Sequence, residues 1–215
     1  MKRRSLLILG TAGAIYSTNA LAFKLGDITN ALSGGSGSAD EIKRLLFAAA
    51  KADAQMNYYF QVALNNKKAA VAYQAAVDGI TVDNIEDEYE KLNKLKDETK
   101  ITDKDLSKFT ASDETNAALA AGNAFGSVAL INYAFVLPKI KSGIDALKSN
   151  PLNFGLAQAL LLAITAIPKA MTTINELIVT STKIAESNSV PLKSQTEIAE
   201  LSKEMGGTTD ISALP

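Results

Sequence analysis

From Thr115 to Pro138 the chain runs 24 residues without a charged side chain, and from Asn150 to Pro168 it runs 19 more. No other feature constrains the fold as strongly. A helix that is apolar on most sides must be enclosed by other helices or by lipid. Between the stretches lies Lys139–Ser149, an amphiphilic connector with net positive charge. Pro138 and Pro168 each either end a helix or sit inside one that continues. Beyond Pro168, Met171, Ile174, Ile178, Ser181 and Ala185 restore a helical period with spacings 3, 4, 3, 4.

Two readings of these stretches follow. In one they are central helices of a bundle, buried on most sides, whose small residues allow close crossing. In the other they form a membrane-inserting hairpin, since about 20 apolar residues match the hydrocarbon thickness. Gly122 and Gly126 form a small-xxx-small pair of the kind that lets helices touch. Each stretch also carries a narrow polar stripe: Asn116, Asn123 and Ser127 in the first, Gln158, Thr165 and Thr172 in the second. A bundle uses such stripes as an outward face or as hydrogen bonds between helices; a pore uses them as a lumen lining. Alanine, glycine and asparagine dilute the leucines, and this weighs toward a buried core.

The clearest helix precedes them. Ile42, Leu45, Ala49, Ala52, Met56, Tyr59 and Ala63 are spaced 3, 4, 3, 4, 3, 4, a coiled-coil-like a/d seam held for three heptads. The seam is a packing surface, and it is the candidate contact for a partner or a second copy if the fold leaves it uncovered. Asn65-Asn66 marks a break. Ala69, Tyr73, Ala76 and Val77 carry helix on to Gly79, which suits a C-terminal cap. Asp83–Lys100 reads as a charged helix with Ile85, Tyr89, Leu92 and Leu95 on one side and acidic residues in its first turn, as the helix dipole prefers. Ser112 opens the first uncharged helix. Ile198, Leu201 and Met205 make a last short seam, ended by Gly206-Gly207, and residues 207–215 read as a flexible tail.

The N-terminus carries an address. Lys2, Arg3 and Arg4 precede an apolar run from Leu6 to Tyr16, and Ala20-Leu21-Ala22 stands before Phe23. Basic head, short apolar run and A-x-A site describe a cleaved bacterial secretory signal over residues 1–22. Residues 23–38 follow as a short amphipathic segment, Phe23–Leu32, and a Gly/Ser-rich linker. Ser38 is placed to cap the seam helix. The bundle domain is then expected over 39–206.

Composition narrows the chemistry. The chain has no histidine and no cysteine, so the usual nucleophilic triads and the usual zinc, copper and haem ligands are missing. Removing Lys2, Arg3 and Arg4 takes the formal charge from −1 to −4 and leaves Arg44 as the sole arginine, which argues against nucleic acid. No cofactor and no metal are expected.

The expected fold is all-α: an up-and-down bundle of five to seven helices with two long, largely uncharged central members. The leading expectation for function is a non-enzymatic exported protein of the bacterial envelope, periplasmic or secreted, that binds another envelope protein or itself. The alternative is a membrane-active, pore-forming or lipid-interacting protein that inserts the hairpin 115–168. A third is a carrier for an apolar ligand held between the uncharged helices.

Overall fold

A computed structural model describes residues 39–211. The signal sequence, the segment 23–38 with the Ser38 cap, and residues 212–215 of the tail lie outside the described residues. Among those described the chain is all-α, with seven helices and no strand: α1 Ala39–Ala63, α2 Lys67–Gly79, α3 Ile85–Glu98, α4 Asp103–Leu106, α5 Asp113–Ser149, α6 Phe154–Ser187 and α7 Gln195–Glu204. The expected helical bundle is the fold.

Helix ends follow local chemistry. After α1, Asn65 adopts φ +57°, a left-handed conformation that asparagine tolerates better than most side chains. Asn66 then caps α2, its Oδ1 accepting from Ala69 N at 3.4 Å. At the start of α5 the Ser112 hydroxyl accepts from Thr115 N at 3.2 Å and the Thr115 hydroxyl accepts from Ser112 N at 2.9 Å, a reciprocal capping box. Asn153 caps α6 by a single bond, accepting from Leu156 N at 3.0 Å. Gly79 departs from expectation. It closes α2 without a positive φ, and Ile80 is the capping residue. Asn84 holds the following turn by accepting from Thr81 N at 2.7 Å and donating to Gly79 O at 3.0 Å.

Pro138 and Pro168 both sit inside helices. Each removes one backbone donor, yet α5 runs on through Pro138 and α6 through Pro168. The expected connector Lys139–Ser149 is therefore the last three turns of α5, and the true connection is residues 150–153.

The centre of the molecule is α5. Its glycines mark where neighbours come closest: Gly122 lies under the Phe60 ring, Gly126 against Met56 and Ile178, and Gly143 against Leu160 and Ile42. Residue numbers rise along α5 as they fall along α1 and α6, so α5 is antiparallel to both. The a/d seam of α1 faces this junction. Ile42, Leu45, Ala49, Ala52, Met56 and Ala63 are all buried, and the alanines let α5 approach along nearly the whole of α1. Helices α2 and α3 pack on α1, α4 packs on α6, and α7 lies on α5. The later period of α6 is equally well enclosed, with Met171, Ile174, Ile178, Ser181 and Ala185 buried.

The start of the expected tail is tied down. Asn132 of α5 accepts from Thr208 N at 2.9 Å and donates to Ser202 Oγ at 3.0 Å. The Arg44 guanidinium donates to Gly206 O and to Gly207 O. Gly206 takes φ +75°, and a side chain at Gly207 would collide with Asn132 and Ser202. Residues 207 and 208 belong to the bundle, because α5 presents a buried amide that the chain end satisfies.

Candidate functional site

Several buried polar groups among the described residues pair with one another between helices. Asp53, fully buried on α1, accepts from Lys96 Nζ of α3 at 2.6 Å and from Asn57 Nδ2 at 2.9 Å. The Tyr133 hydroxyl of α5 donates to Tyr89 of α3 at 3.0 Å. Burial pushes both phenols up from their ordinary pKa, with the Asp53 carboxylate adding to the shift. Tyr73 pairs with Thr99 at 2.8 Å and is likewise raised by burial, while Gln61 Nε2 donates to Thr99 O at 2.9 Å. These contacts hold α2 and α3 onto α1 and α5. A catalytic group would face a cleft with spare donors or acceptors, whereas these groups face one another. Among the described residues, no group of three or more acidic side chains is placed to hold a metal.

The first polar stripe lies inside the bundle. Asn123 Nδ2 donates to Ser181 Oγ at 2.9 Å and to Thr182 Oγ1 at 3.0 Å on α6. The Ser127 hydroxyl donates back to Asn123 O at 3.1 Å, and Asn116 Oδ1 is buried without a hydrogen-bond partner. Of the two bundle uses of a stripe, this one is hydrogen bonding between helices. Gly122 and Gly126 are crossing residues within the same junction. The α1 seam is equally committed to the interior, so the condition for its use by a partner, an uncovered face, is not met. Only Tyr59 of that set is partly exposed, its ring stacked on Phe125 with centroids 5.5 Å apart.

The second stripe has the opposite fate. Gln158, Thr165 and Thr172 are exposed and line the outer face of α6. Large apolar residues share that face and the turn before it: Leu152 is 76% exposed, Phe154 71%, Leu161 64% and Ile164 49%. On a helix Leu161 and Thr165 are only about 40° apart, so the flank is apolar with a thin hydroxyl line. Both α5 and α6 are long and apolar enough to cross a membrane by length and composition, but the two are enclosed very differently. In the most apolar eighteen-residue window, 83% of α5 is buried against 39% of α6. An apolar helix left this open is the least ordinary surface on the molecule.

Sequence reasoning located this face through Gln158 and Thr165 but did not single out Leu152, Phe154, Leu161 or Ile164. In a segment without charges, a leucine facing water has the same local pattern as one facing the core. The available signal was the polar stripe itself, since apolar residues within about 60° of it share its exposure.

Two surface depressions lie elsewhere. One, of about 400 Å³, is lined by Gln61, Asn66, Thr99, Lys100 and Lys108 among others. The other, about 220 Å³, lies between Phe109 and the Thr180–Asn188 end of α6. Neither runs between the uncharged halves of α5 and α6, where the carrier reading would place its cavity. No family model, no curated protein and no solved structure matches this chain.

Proposed function

We propose that this chain is a non-enzymatic helical binding module of the bacterial envelope, which works by presenting the uncovered flank of α6 to another surface. The observation that carries the reading is the contrast between the two uncharged helices: α5 is spent on the core, while the first half of α6 is left open with three large apolar residues exposed and Leu152 in the turn before it. Leaving such a surface in water forgoes burial worth about 1.5–3 kcal/mol for each large side chain, a cost that a contact in use would recover. Export is part of the same proposal. It rests on Lys2–Arg4, the run Leu6–Tyr16 and the Ala20-Leu21-Ala22 site. The absence of histidine and cysteine supports a role without catalysis.

The α1 seam is not the contact in this reading, because it is already filled by α5. Insertion of the whole hairpin 115–168 would have to strip Asn123 from Ser181 and Thr182, and Asn132 from Ser202 and Thr208. Exposing those amides to hydrocarbon is expensive, which favours contact through α6 with the bundle intact.

A photo-crosslinking side chain placed at Leu161 tests the reading in cells, with Val71, 70% exposed on α2, as the comparison. Crosslinks from position 161 and none from 71 support it. Equal yields from both positions, or none from 161, would overturn it. N-terminal sequencing of the exported chain should begin at Phe23.

A further inference from the structure

The open flank has a charge pattern that says what covers it. From Lys139 to Lys169 the chain holds four lysines and a single acid, Asp145, although the whole chain is net −1. The uncharged face is bracketed, with Lys148 just before Leu152 and Lys169 one residue after Pro168. Both bracketing ammonium groups are well exposed. Lys148 is 2.9 Å from Asp145 within α5, and Lys169 is 3.4 Å from Asp97 in a pair more than two-thirds exposed on each side. Ion pairs that exposed are weak and exchange readily for another anion. The hydroxyl line on the flank is internally satisfied: Thr165 donates to Leu161 O at 2.8 Å and Thr172 to Pro168 O at 3.0 Å. Neither hydroxyl needs water, so these two threonines enter an apolar medium without losing a hydrogen bond, while the exposed amide of Gln158 on the same face keeps its partners only at headgroup level. An apolar helix side of about 15 Å from Phe154 to Ile164, with lysines at its ends, has the composition of an interfacial lipid-binding helix.

We propose that the α6 flank docks on an anionic lipid surface, with Leu152, Phe154, Leu161 and Ile164 set among the acyl chains and Lys148 and Lys169 against headgroup phosphates, while α5 stays in the bundle. The inference rests on the reading of this flank as the binding face and supplies its partner. Docking is peripheral. The hairpin end enters the headgroup boundary, and the acidic helix α3, joined to Lys169 through Asp97, marks the edge that stays in water.

The test is vesicle flotation of the full-length chain, comparing phosphatidylcholine vesicles with vesicles that also carry phosphatidylglycerol. Any contribution of the apolar run Leu6–Tyr16 is then common to all variants. Wild type should float with the anionic vesicles and much less with the zwitterionic ones, and binding should fall as salt is raised. Lys148→Gln and Lys169→Gln should each weaken binding about fivefold. Phe154→Ser with Leu161→Ser should weaken it tenfold or more, with an unchanged circular-dichroism melt showing that the fold is kept. Because the chain has no cysteine, Leu152→Cys can carry an environment-sensitive dye. Its emission should shift to the blue on anionic vesicles, and a dye at Val71→Cys should not shift. Equal binding to both vesicle types, or flotation indifferent to Phe154 and Leu161, overturns the proposal. If vesicles fail but light scattering shows self-association abolished by Leu161→Ser, the lipid inference falls and the flank remains a binding face for a second copy. If Leu161 crosslinks to nothing as well, both fall.

Discussion

Lys96 Nζ reaches 2.6 Å from Asp53 Oδ2, a carboxylate with no exposure on the inner side of α1. This contact helps fasten the charged helix α3 to the alanine-rich seam helix, beside the Lys43–Glu86 ion pair at 3.0 Å. Taking two charges from water is costly, and the pair is tolerated because Asn57 also donates to Asp53. Lys96→Met should destabilise the fold by about 3–5 kcal/mol by leaving the carboxylate buried and unpaired. Asp53→Asn combined with Lys96→Met should cost distinctly less. Urea denaturation of the four forms in a double-mutant cycle reads the coupling directly.

Gly122 tests the closeness of α1 and α5. A Cβ there would lie 2.7 Å from the Phe60 ring, which is fully buried and has little room to give. Gly122→Ala should cost about 1–3 kcal/mol through overpacking, despite the better helix propensity of alanine. Pairing it with Phe60→Leu should recover part of the loss in a thermal melt. Gly126→Leu should prevent folding, since Met56 and Ile178 already fill that space.

The two sides of α6 should respond in opposite ways. Ile167 is fully buried, and Ile167→Ala should cost about 2–5 kcal/mol. Leu161→Ser, three residues from Ile164 on the open face, should change stability by no more than about 0.5 kcal/mol. Denaturant midpoints for the two variants settle which side of the helix is structural and which is free for contact.

Acid should loosen α7. Lys193, 2.7 Å away, and the Ser194 N–H, 2.9 Å away, hold the Glu197 carboxyl down at about 2. A depressed carboxylate pKa contributes stability that is present above the unfolded value, about 4.3, and is lost as pH falls from there through about 2. The side chain is 46% exposed, so the effect is local and screened by salt. Amide protection across Gln195–Glu204, taken relative to the unfolded chain at each pH, should fall over that window in the wild type and stay level in Glu197→Gln.

Much of the fold was legible because helix signals are local. The α1 seam, the Asn65-Asn66 break, the Ser112 start and the period from Met171 to Ala185 each depend on neighbours within about a turn, and the bundle uses all of them. The role of Gly79 was misjudged because Asn84 takes over the turn after α2. The anchoring of Thr208 was invisible because its partner, Asn132, is 76 residues away. The candidate site was legible only in outline. Gln158 and Thr165 pointed to the outward face, but the four apolar residues beside them carry no local mark of exposure.

By itself, then, the sequence determined that the chain is helical, where several of its helices begin, and that two of them carry long stretches without charge. These follow from backbone capping and from the 3.6-residue period. Only the tertiary structure decided which uncharged helix became the core. Three neighbours, α1, α6 and α7, enclose α5 because its glycines and asparagines let them approach and bond. The first half of α6 has neighbours on one side only, and a charge-free sequence marks that one-sidedness through nothing more than the thin stripe of Gln158, Thr165 and Thr172.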